Sequence, residues 1–415
     1  MDTSYRAVVR LPGFTRLALA TLLGRTGQQM ASVTLVLFVL SRYRSPALAG
    51  FTLAAWSIPG LLLSPVAGAL LDRYGRARLI ALDFGVAVAT LASMGTLSLA
   101  HLLPPWLLVL IAALGSLTVM LSNSGLRTYY ATLIPRHLWP RANAIDSNGW
   151  TFAVLVGPPA AGALVGAVGG EWTLVAIGGA MGIAAVVVHR LPESRAADSV
   201  GVSLQQEAVK GVRYFVRHRT LRGLAVTLTS ANLGFGIVVI AVPVLLLGQL
   251  RQGPEAVGGI FAITGAVGVV SALVAGRLHL EGRERAWMAA AILVEGAGFA
   301  ILIAAHAFWV VVAAAAVVGL ASGPFDVSLF TLRQRRTDPA QYGRAFAISM
   351  ALNYVGEPVG SAVGGPLVSR SLELALLAAV GSCLVGAALA LLVIPGKDES
   401  THKSADEAPG QISAL

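Results

Sequence analysis

From about residue 16 to residue 394 the chain alternates long apolar runs with short polar turns, and most runs have the roughly 20 residues that a membrane-spanning helix requires. Divided on that requirement, it gives twelve candidate spans: 16–41, 46–71, 79–100, 104–126, 143–168, 172–190, 220–247, 255–276, 286–305, 308–332, 343–368 and 371–394. The first carries Arg25 near its middle and leads into further apolar runs, so it reads as a span and not as a cleaved leader. The fifth and eleventh, rich in glycine and proline, are the least regular.

Composition strengthens this reading. With 56% hydrophobic residues, 12% charged residues, a mean hydropathy of +0.76 and 46 glycines among 415 residues, the chain is expected to be an all-α polytopic membrane protein. Its single cysteine, Cys383, rules out an intrachain disulfide and cysteine-rich zinc or iron–sulfur chemistry. Assigned to alternate sides of the spans, 25 of the 30 Lys and Arg residues fall on one side and 4 on the other, with Arg25 inside. The positive-inside rule then places both termini in the cytoplasm, as a multi-pass protein of the inner membrane. The same loops account for the net charge of +10 without nucleic acid, because they meet anionic lipid headgroups.

The segment 191–219 divides the chain. Its front, Pro192-Glu-Ser-Arg, reads as a flexible linker, and its back sets Leu204, Ala208, Val212 and Phe215 at helical spacing, as in an amphipathic connector lying on the membrane. The halves repeat. Arg141-Ala-Asn-Ala-Ile recurs as Arg344-Ala-Phe-Ala-Ile at a shift of 203, which also aligns Gly157 with Gly360 and Gly162 with Gly365. The expected organisation is therefore a six-helix bundle over 1–190, the linker 191–219, a second six-helix bundle over 220–394 and a disordered cytoplasmic tail over 395–415, with the bundles pseudo-symmetric.

The stretch Gly68-Ala-Leu-Leu-Asp72-Arg73-Tyr-Gly75-Arg76-Ala-Arg78, between the second and third spans, resembles the signature loop of the major facilitator superfamily, and a shortened copy follows at Gly276, Gly282 and Arg283. Within that superfamily, Leu23-Gly-Arg25-Thr-Gly27-Gln28-Gln29 and the run from Pro135 to Ala144 resemble drug and siderophore exporters of the macrolide-efflux type. The resemblance implies two rocking bundles, and a latch made of Gly68, Asp72, Arg73, Gly75, Arg76 and Arg78, with Asp72 reaching the start of the eleventh helix near Arg344. It also implies a motif-C-like kink at Gly157, Pro158 and Gly162, which favours export, and a cavity lined by helices 1, 4, 5, 7, 10 and 11.

An ionisable side chain at the centre of a span costs roughly 2.5–3.5 kcal/mol unless it is paired or wetted, so each one points to mechanism. Glu357 is the first choice for proton coupling, since a carboxylate in a cavity binds or releases a proton as water gains access. Asp326 and Glu295 follow. Arg25, Gln28, Gln29, Asn232, Asn353 and Tyr354 are the candidates for lining the cavity or holding substrate, and Asp83 and Arg127 are read as paired charges. No metal set, nucleophile constellation or phosphate loop is present, so neither an enzyme nor an ATP-driven pump is indicated, and no cofactor is expected. The expectation is a monomeric, proton-coupled exporter of amphipathic small molecules, with a lipid or lipid-linked flippase on the same fold as the alternative. A non-transporting receptor is the remaining class.

Overall fold

The computed structural model describes residues 4–191, 213–277, 282–337, 349 and 352–396, and every regular element among them is a helix. After a short α1 (Tyr5–Val9), the first half comprises α2 (Phe14–Tyr43), α3 (Pro46–Ala55), α4 (Ile58–Tyr74), α5 (Arg76–Leu99), α6 (Pro105–Ser116), α7 (Val119–Leu133) and α8 (Trp139–His189). The second half comprises α9 (Arg219–Val244), α10 (Pro254–Ala275), α11 (Glu284–Ile303), α12 (Phe308–Arg336), α13 (Gly356–Arg370) and α14 (Leu372–Leu392). Residues 192–212, which hold the front of the linker and Leu204, Ala208 and Val212 of its back, lie outside the described residues, as do Arg344, the tail from Lys397 and the side chain of Asp72.

Nine described helical stretches are long and apolar enough to cross a membrane. One of them, Arg136–His189, has 54 residues, which at 1.5 Å per residue is far longer than a bilayer core of about 30 Å. It divides at Gly169, whose φ of 83° and ψ of 164° interrupt the helix, and so supplies two passages. The 30-residue α2, made more polar by Arg25 and its glutamines, and α13, the described part of the eleventh span, add two more. The helices are thus consistent with twelve passages.

Two expected spans differ from expectation in being broken near the middle. The second runs as α3 and α4, parted at Trp56–Ser57, where Pro59 enters the first turn of α4 without an N–H to continue the earlier ladder. The fourth runs as α6 and α7, parted at Leu117–Thr118, where the Ser116 hydroxyl bonds back to the Ala113 carbonyl at 2.9 Å, a contact that bends helices. The two breaks face each other. A Cβ at Gly60 would meet the Ser116 carbonyl and Val119, and Gly115 lies against the Trp56 ring.

The ends of α2 at Phe14, α4, α7, α9 at Arg219 and α12 at Arg336 share the face that carries most of the arginines, here called the basic face. On it, Gly75 joins α4 to α5 with φ 94° and ψ 136°, and Gly282 stands at the corresponding place before α11 with φ 74°. Side chains other than hydrogen rarely tolerate that backbone. Arginines pin the end of the second half: Arg285 donates to the carbonyls of Leu391 and Ile394 at 3.2 and 3.1 Å, and Arg336 to that of Pro395 at 2.7 Å.

The halves meet through two glycine crossings, α8 on α10 and α3 on α13. A Cβ on Gly162 would stand 2.5 Å from the Pro254 carbonyl, and one on Gly365 2.5 Å from the Pro46 carbonyl, so only bare backbone fits. Both crossings lie in the half of the molecule away from the basic face. Nearer the basic face, α4 and α7 pack on α5 and on each other within the first half.

Candidate functional site

The strongest polar link inside the first half joins α2 to α8. Arg25, 6% exposed, holds Asp146 at 2.9 Å (Nη1 to Oδ1), donates from Nη1 to the Asp146 carbonyl at 2.9 Å and from Nη2 to Oδ2 at 3.2 Å, and lies 5.5 Å from the centre of the Trp150 ring. Paired and nearly dry, this arginine offers no free charge to an anionic cargo. A recess of about 240 Å³ opens beside it, walled by Ala18, Leu19, Leu22 and Ile145 and edged by Thr21 and Tyr130. Sites for drug-sized ligands run to roughly 300–1,000 Å³, so the recess accommodates part of such a molecule.

The second half repeats the link without charge. Asn232 of α9 donates from Nδ2 to the Asn353 carbonyl at 2.9 Å and to Asn353 Oδ1 at 2.8 Å. Donor and acceptor are 121 residues apart in each half, and both lie 207 residues after their counterparts.

Glu357, in the first turn of α13, is half-buried, and its carboxylate has no polar partner among the described residues. Its backbone carbonyl accepts from Ser361, and a Cβ on Gly236 would meet the same carbonyl, so α9 lies tight against this turn. Tyr354, three residues earlier, lies within electrostatic reach of Arg127 in the first half and of Asp326, Arg333 and Glu357 in the second. Tyr354 is thus the described residue whose surroundings include charges of both halves. Glu295 lies within the second half, in electrostatic reach of Asp326 and of the buried Cys383.

The structure separates two residues that the sequence suggested as a pair. Asp83, 3% exposed, makes no ion pair with Arg127, which is exposed; its polar neighbours are the hydroxyls of Ser122 and Thr118 at the break between α6 and α7. Gln28 reaches the same place, donating to Ser122 Oγ at 3.4 Å, whereas Gln29 packs beside Gly157. Gly157 and Pro158 sit within continuous helix, so that region of α8 serves close packing on α2 and α10 and does not break the chain. Sequence reasoning did not find the role of Asp146. The signal lay in the repeat, because the position 207 residues after it is the partner of Asn232.

The profile described as Major Facilitator Superfamily matches residues 17–281 and 279–414. Among curated proteins, the chain is 38% identical over 397 residues to the MFS-type transporter y4rN of Sinorhizobium fredii, covering 94% of this chain and 97% of that protein. It is 26% identical over 364 residues to the multidrug efflux pump Tap of Mycobacterium tuberculosis, covering 85% and 86%. Among solved structures it resembles the nucleoside transporter NupG, with a TM-score of 0.72 at 16% identity over 92% of this chain and 99% of that one. It also resembles a bacterial homologue of the human lysosomal transporter Spinster in an inward-facing, unoccupied conformation, with a TM-score of 0.71 at 12% identity over 95% and 96%. Likeness at these identities establishes the fold alone.

Proposed function

The chain belongs to the Major Facilitator Superfamily, and on that footing we propose that it is a proton-coupled exporter of amphipathic small molecules working by alternating access. The observation that carries the reading is the contrast between the two halves of the site. In the first half Arg25 and Asp146 neutralise each other, while in the second half Glu357 stands without a polar partner among the described residues. A carboxylate in such a place is stable when it holds a proton or meets a cation, and exchanging one for the other couples cargo to the proton gradient. The kinship with the pump Tap supports export, and the mostly apolar wall of the recess suits an amphipathic cargo.

In this reading both termini face the cytoplasm, the basic face meets anionic lipid of the inner membrane, and the bundles over 1–190 and 220–394 move as units. Glycine crossings confined to the opposite half support a cavity that opens on the cytoplasmic side. The loop from Gly68 to Arg78 latches the bundles when the transporter faces outward, and Gly75 supplies the turn this needs. Monomeric protein suffices.

The test is uptake of dye and antibiotic panels into inverted vesicles holding the purified protein, with an imposed pH gradient. Uptake that follows the gradient and disappears in Glu357→Gln with folding intact is the expected result. Uptake that survives collapse of the gradient overturns proton coupling. Absence of uptake for every compound overturns the drug-export reading and directs attention to lipid substrates.

A further inference from the structure

Arg127 is the only charged residue of α6 and α7, the helices of the fourth span, and the site built so far gives it no task. It stands six residues before the end of α7, about 9 Å into the span from the basic face. Its side chain is exposed and makes no ion pair or hydrogen bond among the described residues. The helix around it is two-sided. Ser122, Gly125, Leu126 and Tyr129 are buried within the first half, with Gly125 against Ile80 and Leu71, whereas Asn123, Ser124, Arg127 and Thr128 make a more open, polar face. Such a face is costly against hydrocarbon and marks a wetted path. Tyr354 of the second half, 45% exposed, lies within electrostatic reach of Arg127, so the guanidinium looks toward the other half and not toward lipid.

Around Tyr354 the two halves present opposite charge. The first contributes Arg127, and the second contributes the carboxylates of Asp326 and Glu357. The second half's own Arg333 is turned inward, 1% exposed and donating to the Ser349 carbonyl at 3.5 Å, and Arg25 is held by Asp146. We propose that Arg127 anchors an anionic group of the cargo, and that the cargo is a zwitterionic amphiphile whose cationic group meets Glu357 and whose carboxylate, sulfonate or phosphate meets Arg127. The inference rests on the export reading, from which it takes Glu357 as the place of the cation. A purely anionic cargo would face the carboxylates of the second half, and a purely cationic one would face Arg127. A zwitterion satisfies both walls at once, so each wall also rejects the wrong charge. Arginine suits the task, because its planar fork holds a carboxylate through two parallel N–H bonds and keeps its charge as water leaves.

The experiment is binding of a matched pair of dyes to the purified full chain in detergent, followed by fluorescence anisotropy. One dye is a rhodamine free acid, zwitterionic at neutral pH, and the other its methyl ester, a cation of nearly the same size and apolar area. The free acid is expected to bind at least tenfold more tightly than the ester, Arg127→Gln to bring the two within about twofold, and Arg127→Lys to keep part of the preference. Melting temperatures check that both variants fold, and the lysine variant decides the matter if the glutamine variant does not. Equal binding of the two dyes to the native chain overturns the proposal, as does a preference that persists undiminished in Arg127→Gln. A loss in that variant that is the same for both dyes assigns Arg127 to the conformational cycle and also overturns it. Binding of neither dye overturns the proposal as well, whereas the export reading falls only if the wider panel fails in vesicles. No pH gradient enters the measurement, so uptake that ignores the gradient overturns proton coupling and leaves this result standing.

Discussion

Replacing Arg25 and Asp146 together is expected to do less harm than replacing either alone. The pair is largely removed from water, with side chains 6% and 19% exposed, and three polar contacts between 2.9 and 3.2 Å join it. Removing one partner of such a pair strands the other, which costs about 3–5 kcal/mol. Arg25→Asn leaves a carboxylate with some access to the adjoining recess, so its cost falls near the lower figure. Asp146→Asn leaves the drier arginine stranded and falls nearer the upper one. The double variant Arg25→Asn with Asp146→Asn installs the residue types that the second half already uses, Asn232 on Asn353, and a neutral pair removes both desolvation penalties at once. Its stability should lie within about 1 kcal/mol of the native protein, making the two sites non-additive far beyond the ~0.5 kcal/mol within which independent sites add. Thermal unfolding in detergent, run as a double-mutant cycle alongside vesicle transport, reads this directly. If the double variant melts as low as the worse single variant, the link is not a replaceable brace and the comparison with Asn232 and Asn353 is mistaken.

Three further outcomes follow from the geometry. Gly258→Val places side-chain carbon where a Cβ would stand only 2.5 Å from the Pro158 carbonyl, so the crossing of α8 and α10 should loosen; a disulfide engineered between positions 47 and 369, where the Ala47 N–H donates to Ser369 Oγ at 3.1 Å, should form less readily in that variant. Gly75→Ala, at φ 94° and ψ 136°, should cost about 1–3 kcal/mol of folded stability, seen as a lower melting temperature. Arg285→Ala removes the donor to the Leu391 and Ile394 carbonyls and should lower stability by about 1–2 kcal/mol in the same assay while leaving transport affinity unchanged.

Much of the fold was legible because membrane passage leaves a coarse mark: runs near twenty apolar residues, arginines biased to one face and a repeated glycine pattern. The breaks in the second and fourth spans left almost none, since both halves of each remain apolar. Pro59 was a hint for one, but nothing in Gly115-Ser116-Leu117-Thr118 announces the other, which depends on a hydroxyl bonding back to the Ala113 carbonyl. The site was legible as a set of residue types and not as a set of pairs. Arg25 and Asp83 stood out as charges in apolar surroundings, yet that the arginine meets Asp146 depended on how far its side chain reaches along α8.

That reach also reconciles the two repeat shifts. The glycine contacts align α8 with the eleventh helix at 203: Gly157 faces the Thr26 carbonyl, and Gly360 faces Leu233, which is 207 residues after Thr26. In this frame Asn353 takes the place of Trp150, and the place of Asp146 falls to the buried Ser349. The two polar links are therefore offset by one helical turn, roughly 6 Å at 1.5 Å per residue. Arg25 is long enough to pass over the Trp150 ring and bond one turn lower, while Asn232, with its amide only two carbons from the backbone, must bond at the nearer turn. The same backbone geometry thus carries a charged brace in one half and a neutral one in the other, with side-chain length deciding where each is anchored. A corollary is that Arg25→Lys should not restore the link. A lysine approaches that length but brings a single ammonium in place of the fork that reaches both the Asp146 carboxylate and its carbonyl, so its melting temperature should fall below that of the Asn–Asn double variant.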